Sequence, residues 1–471
     1  MEQINLLDSK TIKSVHFIGI GGISMSGLAE ILLNLGYTVS GSDMKSSNMT
    51  EKLERTGIKI HIGHREENIG NCDLVVYTAA VKGNNPELLR AKQLGITTIE
   101  RAVLLGQIMK KYPLSLAISG THGKTTTTSM VSMIMLESSL DPTIHIGGEL
   151  DAIGGNTRIG GNKFFITEAC EYVESFLKFY PKLAIVLNIE ADHLDYFKDL
   201  DHIKQAFLKF MHLVPKDGYI VACVDDKNVS SLLDNLPCNI VTYGVNSPSA
   251  SWTARNIEFD SSGCASYDLI KDGKKITEIR LRVPGIHNVS NSLAAAAACY
   301  TVGCEIKDIQ HGLEAFTGTH RRFEVKGVVD SIKVVDDYAH HPSEIKATLK
   351  AARSARPSKI WCVFQPHTYS RTKLLLDEFS EAFSDADEVI IADIYSAREI
   401  DTGEIHSSTL SEKVNAKSNN AIYKPDFASI VDYLKENVSS GDLVITMGAG
   451  DVYKVGEMFL KEKDMLIPNL S

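Results

Sequence analysis

The chain has 471 residues, of which 44% are hydrophobic and 23% charged, and its 49 Lys and Arg against 59 Asp and Glu give a formal net charge of −10. The length predicts about three domains, because a single hydrophobic core rarely serves more than about 300 residues. The composition excludes a disordered chain, and the acidic balance argues against nucleic acid as a partner.

The cysteines and the apolar runs indicate a cytoplasmic protein. The eight cysteines include no C-x-x-C pair, so we expect neither a zinc ribbon nor a disulfide framework, and a reducing cytosol fits. The N-terminal decapeptide is polar and lacks a signal-peptide pattern, and no apolar run reaches the roughly 18 residues of a membrane helix. We therefore expect neither secretion nor membrane insertion.

Three stretches of the chain repeat one pattern, in which a short apolar strand enters a glycine-containing turn that a helix follows. The pattern is typical of parallel α/β sheets. The expected domains are residues 1–110, 111–318 and 319–471. The predicted strands are 15–20, 38–42 and 74–77 in the first domain, 114–119, 164–167 and 183–187 in the second, and 332–335, 360–364, 389–392 and 443–447 in the third.

The second stretch also contains an antiparallel part. Residues 251–283 alternate polar and apolar side chains, and Lys271-Asp-Gly-Lys274 predicts a hairpin turn between two strands. Residues 290–300 are rich in alanine and predict a buried helix.

The first glycine turn, Gly19-Ile-Gly-Gly-Ile-Ser24, follows the first strand and is close to the dinucleotide pattern G-x-G-x-x-G. Asp43 ends the next strand, where an acid that accepts hydrogen bonds from ribose hydroxyls belongs. Ser24 stands where the pattern has its third glycine. The turn suits any nucleotide diphosphate, and a tight turn without a ligand is the alternative.

The second glycine turn, Ser119-Gly-Thr-His-Gly-Lys-Thr-Thr126, predicts a phosphate-binding loop. Lys124 would neutralise the outer phosphates, and the hydroxyl of Thr125 would bind Mg²⁺. The spacing departs from G-x-x-x-x-G-K-[ST], because the earlier glycine is Gly120 and Ile118 stands five residues before Gly123.

Polar groups follow the later strands as well. Glu168 follows 164–167 and Asp192-His193 follows 183–187, so Glu168 and His193 are candidates to complete a metal shell with Thr125. Taken alone, each is as well explained by a capping or surface role. In the third stretch, Asp336-Asp-Tyr-Ala-His-His-Pro342 and Gln365-Pro-His-Thr-Tyr-Ser-Arg371 also follow strands, and Arg371 is suited to a carboxylate or a phosphate.

Taken together, the motifs resemble the Mur ligase family, the amino-acid ligases of peptidoglycan synthesis. The resemblance runs in order along the whole chain to Gly448-Ala-Gly-Asp451. The motifs that carry it are His16-Phe-Ile-Gly-Ile-Gly-Gly22, Gly120-Thr-His-Gly-Lys-Thr-Thr126, Asn188-Ile-Glu-Ala-Asp-His-Leu-Asp195, Pro284-Gly-Ile-His-Asn288, Asp336-Asp-Tyr-Ala-His-His-Pro342 and Gln365-Pro-His-Thr-Tyr-Ser-Arg371.

The resemblance implies an α/β fold of three domains. The first would be Rossmann-like and bind a UDP-sugar, the second would be a P-loop ATPase-type domain with a mostly parallel sheet, and the third would be Rossmann-like and close over the amino acid. The implied reaction joins L-alanine to the carboxylate of UDP-N-acetylmuramate through an acyl phosphate, with ATP as co-substrate and Mg²⁺ as metal.

The resemblance also assigns roles to residues. ATP would be bound by Gly120, Thr121, His122, Gly123, Lys124, Thr125, Thr126, His287, Asn288, Asn291, Arg321, Arg322 and Asp337. The sugar nucleotide and the amino acid would be bound by Gly19, Gly21, Gly22, Ser24, Asp43, Tyr338 and Arg371. The groups that act on the reacting atoms would be Lys124, His193, His340, His341 and Arg371, with His340 or His341 as the base. The metal ligands would be Thr125, Glu168 and His193.

The chain departs from the family's pattern at three places. Ser24 replaces a glycine, Glu168-Ala-Cys-Glu-Tyr-Val173 replaces a more acidic stretch, and Thr368 stands where an arginine is common. The second departure weakens any role for Cys170 or Val173, and the third removes one candidate cation. The carbamylated lysine of several relatives has no secure counterpart, since neither Lys204 nor Lys209 aligns well.

Three other functions stay open at this point. A sibling ligase would attach a tripeptide to the same sugar nucleotide or glutamate to a folate. An NAD-dependent oxidoreductase would use the first glycine turn, but it leaves Gly-Lys-Thr-Thr unexplained. A regulator would bind ATP without amino-acid-dependent phosphate release.

Overall fold

A computed structural model describes residues 6–8, 11–78, 80–397 and 399–466, with side chains to residue 463. The chain folds into two compact units. The first unit comprises Met1–Ile189, Lys204–Thr242 and Ala294–Ile309, and the second comprises Glu190–Ile203, Tyr243–Leu293 and Gln310–Ser471. The expected domain boundaries at 110 and 318 stay a prediction.

A five-stranded parallel sheet opens the first unit, with strand order β3-β2-β1-β4-β5. Helices connect successive strands in the Rossmann-like manner. The pattern predicts no strand at β3 or β5, because both are four-residue strands with polar, partly exposed side chains. The elements are β1 (Ser14–Ile18), α1 (Ile23–Asn34), β2 (Thr38–Asp43), α2 (Asn48–Arg55), β3 (Lys59–Ile62), β4 (Leu74–Tyr77), α3 (Pro86–Gln93), β5 (Thr97–Glu100) and α4 (Arg101–Met109).

Seven further strands follow in the order β12-β11-β10-β6-β9-β7-β8. Strand β6 is central and pairs in parallel with β9 on one side and with β10 on the other. Only the β7–β8 pair among those registered here is antiparallel. The elements are β6 (Leu114–Ser119), α5 (Lys124–Glu137), β7 (Thr143–Leu150), β8 (Gly155–Arg158), β9 (Phe164–Ala169), β10 (Leu183–Val186), α6 (Leu200–Met211), β11 (Tyr219–Cys223), α7 (Lys227–Ser230) and β12 (Asn239–Tyr243).

The antiparallel part predicted in the second stretch is confirmed. Lys271 and Lys274 pair across a two-residue turn in which Asp272 and Gly273 both have positive φ, of 48° and 78°. This is the backbone that an Asp-Gly hairpin favours. The helix predicted over 290–300 lies within α8, and Ala294 to Ala298 are buried as expected. The elements are β13 (Trp252–Phe259), β14 (Cys264–Lys271), β15 (Lys274–Pro284), α8 (Ile286–Thr301) and α9 (Ile306–Ala315).

A six-stranded sheet completes the second unit in the order β16-β17-β21-β18-β19-β20, with only β16 antiparallel. All five residues of β18 are buried, because hydrophobic clusters cover both faces of the sheet. The remaining elements are β16 (Glu324–Val329), β17 (Ile332–Asp337), α10 (Pro342–Ser354), β18 (Ile360–Phe364), α11 (Tyr369–Leu374), α12 (Leu376–Ser380), β19 (Glu388–Ile391), α13 (Ser407–Ser418), β20 (Ala421–Tyr423), α14 (Phe427–Asn437), β21 (Leu443–Met447) and α15 (Tyr453–Leu466).

The four strands predicted in the third stretch are confirmed as β17, β18, β19 and β21, whereas β16 and β20 are additional edge strands. Strand β16 carries exposed Val325 and Val328. Among the described residues, no helix combines the length and the apolar character needed to cross a bilayer.

A buried carboxylate ties together the end of the first sheet. Glu87, on α3, accepts hydrogen bonds from Ser42 Oγ at 2.7 Å and Asn68 Nδ2 at 2.9 Å, and lies 3.0 Å from His16 Nε2 and from His64 Nδ1. Its side chain is fully buried. Burial alone would raise the pKa of Glu87, but hydrogen bonds from His16, Ser42 and Asn68 lower it to about 2.

Removing this carboxylate should destabilise the first sheet. Glu87→Ala leaves the buried donors of His16, Ser42 and Asn68 without their acceptor, and we expect a loss of about 3 kcal/mol in the free energy of unfolding. Glu67→Ala, at an exposed glutamate of the same unit, is the control and should change little. Urea titration of both variants measures the difference.

The same group predicts a pH dependence. Because the pKa of Glu87 is depressed in the folded state, its contribution is complete above its ordinary value of 4.5 and is lost as the pH falls toward about 2. The stability gap between the parent protein and Glu87→Ala should therefore narrow across this range. A difference in unfolding free energy between the two proteins that stays constant from pH 6 to about 3 would contradict the stabilising role of ionised Glu87.

Candidate active site

The glycine turn predicted between β6 and α5 is present, and its glycines are required by its geometry. Gly120 and Gly123 have positive φ, of 143° and 83°, and Gly123 is the N-cap of α5. A Cβ atom at Gly120 would lie 2.8 Å from the Cβ atom of Leu187. Thr121, His122 and Thr126 lie in the same turn or the first turn of α5, so the backbone N–H groups gather at the helix N-terminus.

Asn188, directly after β10, clamps this turn. Its backbone carbonyl accepts from Thr121 N at 3.0 Å, its Oδ1 accepts from His122 N at 2.8 Å, and its Nδ2 donates to the carbonyl of His122 at 3.1 Å. These three hydrogen bonds fix the turn against the neighbouring strand. The parallel pairing of β6 with β10 brings the two strand ends together.

Lys124 is the first residue of α5 and is mostly buried. Its Nζ donates to the carbonyl oxygens of Gly120 and Thr121, and it forms an ion pair with Glu171 at 3.0 Å. Burial alone would lower the pKa of Lys124, but the carboxylate of Glu171 outweighs it and raises the pKa. The lysine is therefore held as a cation at the phosphate turn.

Two of the three predicted metal ligands lie in the first unit. Glu168 is at the end of β9, where one oxygen accepts from Gly147 N at 2.7 Å, and it interacts electrostatically with Lys124. Thr125 is buried in the first turn of α5. Neither the hydroxyl of Thr125 nor the second oxygen of Glu168 hydrogen-bonds to any described residue of that unit. These are the oxygen donors that Mg²⁺ prefers.

The first glycine turn is tied to β2. The N–H groups of Gly19 and Ile20 donate to the carbonyl of Ser42, and Gly21 N donates to Asp43 Oδ2 at 2.9 Å. A Cβ atom at Gly21 would lie 2.9 Å from that same carboxylate oxygen, which explains the glycine. In this structure Asp43 therefore holds the turn, and its contact with a ribose stays a prediction.

Gly22 and Ser24 mark the start of α1. Gly22 is the N-cap and supplies no side-chain cap. The hydroxyl of Ser24 lies 2.8 Å from His145 Nε2 and accepts from Arg101 at 3.0 Å. Ser24 replaces a glycine of the motif, and here the hydroxyl links α1 to β7 and α4.

In the second unit, Arg371 forms an ion pair with Asp192 at 3.2 Å, and both side chains are nearly buried. The guanidinium also donates to His367 Nδ1 at 3.3 Å. Burial alone would raise the pKa of Asp192, but the neighbouring charges of His193 and Arg371 hold it well below its usual range. His193 Nε2 lies 3.8 Å from Asp192 and its backbone has a positive φ of 54°.

Thr368, which stands where an arginine is common in the family, is the N-cap of α11. Its hydroxyl caps α11 by accepting from Arg371 N at 3.4 Å, and its φ is 67°. The short helix therefore starts from a threonine cap and presents Arg371 one turn later.

The two adjacent histidines after β17 differ in their hydrogen bonds. His340 donates from Nδ1 to the carbonyl of Tyr338 at 2.9 Å, and its Nε2 has no hydrogen bond to a described residue of the second unit. His341 is the N-cap of α10, with Nδ1 2.7 Å from Ser343 Oγ and Nε2 3.3 Å from the carbonyl of Ala191. Burial and the charge of Arg371 lower the pKa of His340 to about 4, although Glu344 opposes them, so its ring is neutral at neutral pH.

Arg321 and Arg322 both contact the ring of Tyr338, which packs beside His340. The guanidinium groups of Arg321 and Arg322 each lie 5.0 Å from the ring centre of Tyr338. Arg321 also pairs with Asp336 at 3.1 Å. Asp337 accepts from Phe323 N at 2.8 Å and Ala339 N at 2.7 Å, and burial raises its pKa to about 6 although Arg322 opposes the shift.

The predicted adenine contacts lie at the start of α8. Asn288 donates to the carbonyl of Pro284 at 2.8 Å and accepts from Asn291 Nδ2 at 3.1 Å. His287 is packed so closely on Gly285 that a Cβ atom there would lie 2.6 Å from its ring. Burial lowers the pKa of His287 to about 4 and keeps the ring neutral.

Four contact residues were missed by the sequence prediction as members of the site, namely Asn188, Glu171, Asp192 and Arg101. The first three lie inside motifs quoted from the sequence, so their position after strands was a usable signal. Their partners were not predictable, since Arg371 and Asp192 are 179 residues apart along the chain. Arg101 begins α4 and carries no motif signal.

Comparison with known proteins gives three family matches in chain order. Residues 14–113 match the Mur ligase family, catalytic domain; residues 118–299 match the Mur ligase middle domain; and residues 321–450 match the Mur ligase, glutamate ligase domain. The matches span the three stretches.

Individual relatives are similar over nearly the full length. The chain is 70% identical to the UDP-N-acetylmuramate–L-alanine ligase of Acetivibrio thermocellus, with 99% of both chains covered. It is 54% identical to the protein of the same name from Caldanaerobacter subterraneus subsp. tengcongensis, over 97% of this chain and 99% of that one. The solved UDP-N-acetylmuramate-alanine ligase of Thermotoga maritima has a TM-score of 0.80 and 30% identity, with 96% of this chain and 99% of that one covered.

The Asn188 clamp can be tested by nucleotide binding. Asn188→Ala removes both side-chain hydrogen bonds to His122 and frees the phosphate turn, so we expect the affinity for ATP to fall about tenfold. Titration calorimetry measures the change, and Asn84→Ala, at an exposed asparagine, is the matched control. Equal ATP affinity in both variants would show that the clamp does not shape the site.

Proposed function

Since this chain belongs to the Mur ligase family, we propose that it joins L-alanine to the carboxylate of UDP-N-acetylmuramate in peptidoglycan precursor synthesis. The products are UDP-N-acetylmuramoyl-L-alanine, ADP and phosphate. The observation that carries the conclusion is the 70% identity to a ligase of that name over 99% of both chains. The family, fold class and reaction predicted from the motifs are thereby confirmed.

The reaction needs an activated carboxylate, because an amine cannot displace oxide from a carboxylate at a useful rate. In the first step, a carboxylate oxygen attacks the γ-phosphorus of ATP and the bond to the bridging oxygen breaks, which gives an acyl phosphate and ADP. In the second step, the amine of L-alanine attacks the acyl carbon, phosphate leaves, and the nitrogen loses a proton to a base.

Lys124 is the cation for the first step. Two anions must approach each other there, and a buried ammonium stabilises the charge that develops between them. Glu171 holds Nζ at the turn and keeps it protonated. Asn188 fixes the turn through the N–H groups of Thr121 and His122, and the N–H groups at the start of α5 bind the phosphate oxygens.

Mg²⁺ belongs to the same proposal. The unengaged oxygens of Thr125 and Glu168 fit an oxygen-preferring cation, and these two residues would hold it. When bound, the metal neutralises phosphate charge. His193 lies in the second unit, and its role as a third ligand rests on the family pattern alone.

The second unit would supply the groups for the amino acid and the adenine. Arg371 is suited to the carboxylate of L-alanine and contacts His367. The ring of His367 packs on His340, which in turn packs on Tyr338. Arg321 and Arg322 would approach the ATP phosphates, and Asp337 the ATP ribose. Of the two candidate bases, His340 is favoured, since its Nε2 has no hydrogen bond to a described residue of the second unit and its neutral ring can accept a proton.

The other functions considered are less well supported. An NAD-dependent oxidoreductase does not account for the ion-paired lysine of the second glycine turn. A tripeptide-adding sibling is disfavoured by the names of the relatives at 70% and 54% identity. A regulator without catalysis would bind ATP but would release no phosphate when amino acid is added.

The function is tested by phosphate release from ATP and UDP-N-acetylmuramate across a panel of single amino acids. We expect release to depend on L-alanine, and release with a tripeptide alone would contradict the proposal. Lys124→Ala should abolish ADP formation because the phosphate turn loses its cation, while UDP-sugar binding persists. Turnover retained in this variant would overturn the role of Lys124.

The base is tested by His340→Phe, which keeps the ring contacts with Tyr338 and His367 but removes both nitrogens. We expect turnover to fall by about 10²–10⁴-fold while acyl phosphate, trapped with hydroxylamine, still forms. Because the pKa of His340 is lowered to about 4, its neutral form persists below pH 6.5, and the acid limb of turnover should lie near pH 4. His320→Phe, at an exposed histidine, should leave both measurements unchanged.

A further inference from the structure

Arg101 is a partly buried cation that pairs with no carboxylate of the described part of the first unit. It is the first residue of α4, and its guanidinium donates one hydrogen bond, from Nη1 to the hydroxyl of Ser24 at 3.0 Å. Within the described part of the first unit, no carboxylate forms an ion pair with it. Burial lowers the pKa of Arg101, and no neighbouring carboxylate offsets this.

The hydrogen-bonded chain beyond Ser24 is neutral and supplies no negative charge. Ser24 accepts from Arg101 and can therefore donate to His145 Nε2 at 2.8 Å, which leaves His145 Nδ1 to donate to Thr157 Oγ1 at 3.1 Å. Burial and the charge of Arg101 lower the pKa of His145 to about 3, so the imidazole stays uncharged. This series of hydrogen bonds orients Nη1 of Arg101, and the other guanidinium N–H groups donate to no described residue of the first unit.

The guanidinium lies beside the start of α1 and interacts with Cys170. Ser24 is in the first turn of α1, directly after Gly19 to Gly22, where the first N–H groups of the helix lack partners within it. On the other side, the thiol of Cys170 interacts electrostatically with both Arg101 and Lys124. A buried charge without a partner costs free energy, and a bound anion would remove that cost.

We infer that Arg101 binds the diphosphate of the sugar nucleotide, with its open guanidinium donors forking onto the phosphate oxygens beside the start of α1. The inference rests on the proposed function, which supplies a nucleoside diphosphate at this turn. Ser24, which departs from the glycine of the motif, then acts as the positioning residue that holds Arg101 toward the ligand. The planar fork of arginine suits phosphate better than a lysine would.

The test compares UDP with uridine as ligands, because the two differ only in the diphosphate. In Arg101→Met we expect the affinity for UDP to fall at least about tenfold, while the affinities for uridine and for ATP stay unchanged. Ser24→Ala should also lower the affinity for UDP, but by a smaller factor than Arg101→Met, since it removes only the hydrogen bond that orients the guanidinium. Arg101→Lys should recover only part of the UDP affinity.

Thermal unfolding separates this role from a structural one. If Arg101 binds an anionic ligand, Arg101→Met removes a charge that is unpaired in the free protein, so the free protein should keep or gain stability. The increase in stability that UDP gives to the parent protein should then be lost in the variant. A less stable free protein with unchanged UDP affinity would overturn the inference. Loss of affinity for UDP-N-acetylmuramate without loss for UDP would place the guanidinium at the carboxylate and would overturn it as well.

The outcomes also distinguish this inference from the proposed function. A parent protein that binds no UDP would refute the proposed function itself. A parent protein that binds UDP and turns over L-alanine, together with an Arg101→Met variant of equal UDP affinity, would refute only the role of Arg101.

Discussion

Parallel pairing around β6 is the constraint on which the phosphate site depends. Ser119, the last residue of β6, is in register with Ala169 on one side and with Val186 on the other. The residues that follow these strands therefore meet at one edge of the sheet, as in other open α/β sheets. This edge brings the glycine turn, Glu168 and Asn188 together from distant segments of the chain, and the hydrogen bonds of Asn188 then fix the turn.

Charge pairing governs how an acidic chain handles phosphate-rich substrates. The formal net charge of −10 gives no general attraction for phosphate, so individual buried cations must supply it. Most of these cations already have an acid: Lys124 has Glu171, Arg371 has Asp192 and Arg321 has Asp336. Each acid holds its cation in place. Arg101 differs in having a hydroxyl as its hydrogen-bond partner among the described residues, and this difference is why we infer an anionic ligand for it.

The predictable part of the fold and the site is the part encoded locally. Glycines next to apolar runs predicted both turns, and the buried strands β6, β10, β18 and β21 were evident from their apolar composition. Short edge strands such as β3 and β20 were not predicted, because their partly exposed side chains form no apolar run in the sequence. Site contacts such as Arg371 with Asp192 join residues far apart in sequence, so tertiary packing alone decides them. The motif predicted two candidate bases, and only the hydrogen bonds of His340 and His341 distinguish them.

The division into two units has a consequence for how the protein can be cut. The backbone passes from one unit to the other five times, at residues 189–190, 203–204, 242–243, 293–294 and 309–310. No single break in the chain can therefore release either unit as a continuous polypeptide. Every continuous piece of the chain that contains one whole unit also carries segments of the other. The shortest continuous piece that contains the whole first unit is residues 1–309, and the shortest that contains the whole second unit is residues 190–471.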